Sequence, residues 1–164
     1  FDATGHYFLV AANASNKIVV IDVPNKKLVK IIETGKTPHP GRGTNIKNDL
    51  GNLWVTSHLG ENKLSFIKTN PGEGQWSGNG GGALFVKSHP KSKNLWVDRT
   101  LNPDADLNSS VDVFDVKTLE LKANLKAPEG VDGRAVHFEY NKKGDEVWVS
   151  YFMGENSNTT HDIY

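Results

Sequence analysis

Leu95-Trp96-Val97 is one of four copies of the same short text. The others are Phe8-Leu9-Val10, Leu53-Trp54-Val55 and Val147-Trp148-Val149, so an apolar triplet returns after 45, 42 and 52 residues. A turn signal precedes each copy: Thr4-Gly5-His6, Leu50-Gly51-Asn52, Pro90-Lys91-Ser92-Lys93 and Lys142-Lys143-Gly144-Asp145. Beyond a polar loop lies a second apolar run that closes on a polar residue. These runs are Ile18-Val19-Val20-Ile21-Asp22, Leu64-Ser65-Phe66-Ile67-Lys68 and Val111-Asp112-Val113-Phe114-Asp115. Third runs follow at 28–32 and 119–125, and further runs precede two of the triplets, at 83–86 and 135–139.

β-Branched and aromatic residues dominate these runs, while Gly, Asn, Pro and Lys fill the gaps, which is the composition of short strands and tight turns. No stretch holds apolar residues at i, i+3, i+4 and i+7 between caps, so helix is not expected anywhere. Four short strands in every ~40–50 residues is the pattern of a β-propeller blade. A β-sandwich also has short strands, but it does not call for one strand–turn–strand text four times. The expected fold is all-β: a partial β-propeller of about three and a half four-stranded blades. With strands labelled A to D from the channel outward, residues 1–34 hold B, C and D of a first blade. Residues 40–76 hold a second blade, 80–127 a third and 133–164 the start of a fourth, all in one domain. Propellers close with roughly 4–8 blades. The chain also opens at Phe1-Asp2-Ala3 without Met and stops at His161-Asp162-Ile163-Tyr164, where a strand begins. We expect an internal piece of a longer protein, with edges that invite association when the piece stands alone.

Composition narrows the chemistry. None of the 164 residues is Cys, which excludes disulfides, thiolate metal sites, iron–sulfur clusters and C-x-x-C-H haem attachment within the chain. Nineteen basic and 19 acidic side chains cancel, so the electrostatic footprint of a nucleic-acid binder is absent. No apolar run approaches the ~18–20 residues that span a bilayer, and no segment reads as a signal peptide. The 16 glycines stand above the ~7% average and favour tight turns.

The propeller scheme sorts the histidines. Loops from D to the next A, and from B to C, share the face around the channel mouth. His39 lies in one of them, Thr37-Pro38-His39-Pro40-Gly41-Arg42-Gly43. Prolines brace the imidazole on both sides, and Gly41 and Gly43 allow a tight bend or close approach to a ligand. Arg42 offers a planar fork of donors for a carboxylate. That set suits a proton donor over an acidic ligand; it also suits a rigid polar connection between blades. His58 follows a B strand and either lines the same mouth or is a satisfied loop histidine. His89 falls in an A–B hairpin on the opposite face, as does His6, and reads as structural. His137 lies inside an A strand, facing the channel or the sheet, and Arg134 just before it could reach a channel ligand. His161 lies too near the end to interpret. Gly78-Asn79-Gly80-Gly81-Gly82 permits a flat ligand to approach, or serves as a plain linker; it is no phosphate loop, since no Lys-Ser/Thr follows and a strand comes next. Asn102-Pro103-Asp104-Ala105-Asp106 brings too few ligands for calcium and reads as a solvated turn. No metal site is expected from these residues.

Taken together, several segments resemble the d1-haem domain of the cytochrome cd1 nitrite reductases. They include Asp2-Ala3-Thr4-Gly5, Asn16-Lys17-Ile18-Val19-Val20-Ile21-Asp22, Thr37-Pro38-His39-Pro40-Gly41-Arg42-Gly43 and Thr56-Ser57-His58. Gly80-Gly81-Gly82, Thr100-Leu101-Asn102-Pro103 and Glu139-Tyr140-Asn141-Lys142 belong to the same set, in the same order. The resemblance implies an eight-bladed propeller holding haem d1 in its channel. It implies reduction of nitrite to nitric oxide in the periplasm by a homodimer. Electrons would come from a small c-type cytochrome or cupredoxin, through a haem c on a separate domain. By resemblance His39 is one of two distal histidines that protonate nitrite, and Arg42 partners a carboxylate of haem d1. Gly41, His58, Gly81 and Arg134 are then candidates to bind the cofactor. The other distal histidine, the proximal iron ligand and the haem c site fall outside this chain. A non-catalytic propeller that binds haem d1 during its biosynthesis or insertion is the alternative. A propeller without cofactor, serving only protein contacts, is the third reading.

Overall fold

The computed structural model describes residues 1–39, 43–69, 74–77, 82–152 and 160–163. Among these residues fourteen strands form four antiparallel sheets in chain order, each strand paired with its neighbour in sequence. The first sheet is β1 (Tyr7–Ala12), β2 (Lys17–Asp22) and β3 (Lys27–Glu33). The second is β4 (Thr44–Asn48), β5 (Gly51–Ser57), β6 (Leu64–Lys68) and β7 (Gly74–Ser77). The third is β8 (Val86–Ser88), β9 (Asn94–Asp98), β10 (Val111–Asp115) and β11 (Leu121–Leu125). The fourth is β12 (Arg134–Tyr140), β13 (Val147–Phe152) and β14 (Thr160–Ile163).

The cores lie between consecutive sheets. Leu9, Ile18 and Val20 of the first sheet pack on Trp54 and Ile67 of the second. Leu53, Val55 and Phe66 of the second pack on Val86, Leu95 and Val97 of the third. Trp96, Val111 and Val113 of the third pack on Phe138, Val147 and Val149 of the fourth. A two-stranded ribbon is marginal alone, but a sheet buried on both faces is not, and each large apolar side chain so buried contributes about 1.5–3 kcal/mol. The innermost strand β8 lies against both β4 and β12. Face-to-face stacking with inner strands adjoining is a partial β-propeller.

One element of the repeat is out of phase with the sequence reading. In three sheets the middle residue of the triplet turns toward the following sheet or the far face: Leu9 and Trp96 pack forward, and Trp148 is exposed. In the second sheet Trp54 packs backward on the first, and Val55 packs forward. The pairings agree, since Leu9 faces Val20, Val55 faces Phe66 and Trp96 faces Val113. Val55, not Trp54, is therefore the counterpart of Trp96. The hairpins also differ in length: β4 and β5 close at Asn48↔Gly51, with Gly51 at φ 108°, whereas β8–β9 closes at Ser88↔Leu95 and β12–β13 at Tyr140↔Val147. A one-residue change of register sends every side chain to the other face.

Two smaller expectations are corrected. The run 83–86 is a strand only from Val86 onward. Helix also appears, as one turn at Ala105–Asn108 (α1) and a 3₁₀ turn at Asn13–Ser15. Asp104 caps α1 by accepting from the Asp106 amide at 2.9 Å, so the carboxylate-bearing loop after β9 is a capped turn.

Candidate functional site at the channel mouth

His39 stands on the connection between β3 and β4, and its backbone is tied down. Its amide donates to the Ser57 carbonyl at 2.9 Å, Pro38 bridges to His58, and the Leu59 amide donates to the Thr37 carbonyl at 2.9 Å. The loop after β5 thus forms a floor beneath the His39 segment. The ring is half-buried, and burial holds its pKa below the ordinary imidazole value. Its edge meets the Phe85 ring at 5.7 Å and 74°. On the other side Phe85 lies 4.0 Å, centroid to centroid, from the His137 ring. Two imidazoles and one phenyl therefore share a wall on the inner strands.

His137 reaches that wall through a bulge. The register of β12 against β13 shifts between Val136 and Phe138, and His137 carries φ 57°. A bulge with a left-handed residue re-aims a side chain, and such strain in a non-glycine residue is held only where the surroundings demand it. His137 is exposed and, with Phe85, Val86, Lys87, Phe138 and Glu139, lines a cavity of ≈ 170 Å³. Lys87 and Glu139 close its rim with a 2.6 Å ion pair.

The other sequence candidates fall in different places. His58 is wholly buried; its Nε2 meets the Ser65 hydroxyl, and the Lys36 and Gly35 backbone also act on the ring. Burial lowers its pKa, and the Glu61 carboxylate works against that shift. Glu61 also accepts from the Lys36 amide. His58 is thus a clasp under the His39 segment and does not face open space. Arg134 donates from Nη1 to the Thr100 carbonyl at 2.7 Å, while the Thr100 hydroxyl donates to the Ala135 carbonyl at 2.6 Å. That pair laces the third sheet to the fourth. Arg134 also lines a polar cavity of ≈ 370 Å³ beside α1, with Asn108, Ser109 and Asp132. Gly41, Arg42 and Gly81 lie outside the described residues. His89 packs on Gly144 and Tyr140 at the opposite, hairpin end, and His6 pairs with Asp22 at 3.1 Å. Among the described residues, no three His, Asp or Glu side chains gather as a metal site, and no helix is long and apolar enough to cross a membrane.

Two glycines near the mouth let the protein pack closely on itself. A Cβ on Gly82 (φ 83°) would lie 2.6 Å from the Asn102 amide nitrogen, and one on Gly43 would lie 2.2 Å from the Trp54 ring. At both, the missing side chain lets a neighbouring segment lie directly against the backbone. Two residues escape the sequence reading. Phe85 reads in sequence only as part of a strand. Asp98 is wholly buried at the end of β9 and accepts from the Leu84 and Phe85 amides. A signal for Asp98 is present in the repeat: blades two and four carry Ser57 and Ser150 where the third carries a carboxylate.

The chain is 39% identical over 187 aligned positions to the nitrite reductase of Stutzerimonas stutzeri, covering 100% of this chain and 33% of that protein. It therefore spans about a third of the relative's length, and the relative carries insertions that this chain lacks. Protein NirF of the same organism is 33% identical over 75 residues, 46% of this chain and 17% of that protein. Among solved structures, dihydro-heme d1 dehydrogenase NirN in complex with DHE superposes with a TM-score of 0.86 at 22% identity, covering 100% of this chain and 34% of that one. Kuenenia stuttgartiensis hydrazine synthase superposes at 0.72 with 19% identity, covering 94% and 43%. At those identities the likeness is one of fold. The family described as Cytochrome D1 heme domain matches residues 1–164, and the chain belongs to that family.

Proposed function

We propose that this chain is the channel-mouth part of a dissimilatory, nitric-oxide-forming nitrite reductase, with His39 as proton donor to nitrite. The observation that carries the reading is His39 itself. It is braced, half-buried and aligned on one wall with Phe85 and His137, in a chain similar along its whole length to a nitrite reductase. The wall suits a flat macrocycle: the Phe85 ring lies 5.7 Å from one imidazole and 4.0 Å from the other, a continuous apolar surface. Phe85 and His137 would hold its apolar surface, and the resemblance gives Arg42 as the partner of one of its carboxylates. Haem d1, when bound, supplies the one-electron reduction; the rest is proton supply and positioning.

Conversion of nitrite to nitric oxide and water takes one electron and two protons. Burial favours the neutral form of the His39 imidazole. An anion arriving beside it favours the imidazolium, because an opposite charge stabilises the charged form. The histidine thus takes up a proton as the anion binds and delivers it when the N–O bond breaks. The Ser57 hydrogen bond and the His58 clasp hold the backbone fixed meanwhile. In this reading the protein is a periplasmic homodimer that accepts electrons from a small c-type cytochrome or cupredoxin.

The test is the full-length protein loaded with haem d1. His39→Gln should lower nitric oxide formation by about 10²–10⁴-fold, the usual contribution of a general acid, while the haem spectrum is retained. Wild-type turnover in that variant would sink the assignment. The partial identity to NirF favours a second reading, a haem d1 protein of cofactor biosynthesis or insertion; stable haem binding without any nitrite turnover in the unaltered protein would decide for it.

A further inference from the structure

The inner strand of the third sheet starts late. β8 begins at Val86, and residues 82–85 run beside the end of β9 with little ladder pairing. Asp98 takes the place of the ladder. Its Oδ1 accepts from the Leu84 amide at 2.7 Å and the Phe85 amide at 3.2 Å, and its own amide donates to the Phe85 carbonyl at 3.3 Å. The residue is 0% exposed. Oδ2 has no well-formed hydrogen bond, the nearby Thr100 hydroxyl being turned to Ala135. The adjacent cation is committed elsewhere, since Arg99 donates through Nε to Asp112 at 2.8 Å and Asn124 completes that carboxylate. A wholly buried carboxyl without a cation is costly unless hydrogen bonds compensate it, and here the Leu84 and Phe85 amides do so.

We propose that Asp98 is a positioning residue for the channel mouth: by gripping the Leu84 and Phe85 amides it seats the Phe85 ring between His39 and His137, and so governs how far His39 is withheld from water. This role deepens the one given to His39, but its geometry does not depend on haem. Phe85 is the only described aromatic ring whose centroid lies near both imidazoles. Burial is the one influence on His39's proton affinity among the described residues, with no charged neighbour contributing. Moving Phe85 should therefore be felt as a change in that affinity.

The experiment uses the full-length apo protein and diethylpyrocarbonate, which acylates a histidine only in its neutral form. Reaction at each histidine is followed against pH by peptide mass spectrometry. Phe85→Ala and Asp98→Ala should each raise the His39 midpoint toward the ordinary imidazole value. The double variant should go no further than either alone, because both act through one ring. Asp98→Asn keeps an acceptor for both amides and should leave the midpoint at wild type. His6, far off in the first sheet, should be unchanged throughout. An Asp98→Ala protein with the wild-type His39 profile overturns the proposal. So does Asp98→Asn shifting as far as alanine, or a double variant equal to the sum of the singles. If Asp98→Ala does not fold, Phe85→Ala and Asp98→Asn still decide: a shift in the first and none in the second supports the proposal, and any other pairing refutes it. Since no haem is present, failure of nitrite turnover and failure of this inference fall on different measurements.

Discussion

At the scale of single residues, the molecule keeps its ionisable groups in unequal states. Burial raises Asp98 to about 7, from an ordinary 3.8, against the pull of the Leu84 and Phe85 amides and of Thr100. Its folded pKa lies above its unfolded one, so it contributes stability that is complete below about pH 4 and is lost as pH rises through about 7. Asp98→Asn cannot ionise. Relative to wild type it should gain on the order of 2–4 kcal/mol between pH 5 and 8, since each pH unit separating the folded and unfolded values is worth ~1.4 kcal/mol, as read by urea denaturation midpoints. A gap between the two proteins that does not vary with pH would remove the perturbation. One position along, the same strand buries a full ion pair, Arg99 with Asp112. Removing one partner of such a pair leaves a stranded charge; Arg99→Met should destabilise by about 3–5 kcal/mol, and thermal unfolding would show it.

At the scale of elements, the mouth is built from loops that brace one another in pairs. The loop after β5 clasps the segment before β4 through His58, Ser65 and Glu61. The loop after β9 meets the turn at Gly82 through the Leu101 amide, at 2.9 Å. His58→Ala should therefore cost roughly 2–4 kcal/mol, as a buried side chain is lost and its polar partner left bare. It should also speed hydrogen exchange of the His39 and Leu59 amides while leaving those of β9 and β10 protected. Uniform exchange changes across all sheets would mean that the clasp is not local. Gly43→Ala places a methyl into the Trp54 ring and should shift near-ultraviolet tryptophan circular dichroism along with stability.

At the scale of the whole molecule, the outermost faces of the first and fourth sheets stay apolar and open. Phe8, Ile21 and Leu28 form one row across the first sheet, and Phe8 and Leu28 are 41% and 61% exposed. Trp148 and Phe152 stand out on the fourth at 42% and 38%. Open apolar faces of this kind mark contact surfaces. The 164-residue chain by itself should self-associate, and replacing Phe8 and Trp148 with lysine should return it toward monomer in sedimentation velocity.

The strand text of Ile18–Asp22, Leu64–Lys68 and Val111–Asp115 determined by itself that the chain is made of stacked β-sheets, because alternation and turn residues are local properties. The prolines around His39 likewise marked a rigid imidazole without any coordinates. Other facts needed the third dimension. Trp54 and Trp96 read alike, yet they face opposite neighbours, since a one-residue offset between the text and the strand's alternation sends a side chain to the other face. His58 read either as a mouth residue or as a satisfied loop histidine, and it lies sealed beneath the mouth, because the fate of a loop side chain depends on which other loop folds over it. Asp98, Phe85 and His137 come together from three stretches of chain up to 52 residues apart. Local pattern sets which faces are apolar; only the packing of sheet on sheet decides which polar groups are buried together and which ring stands beside which.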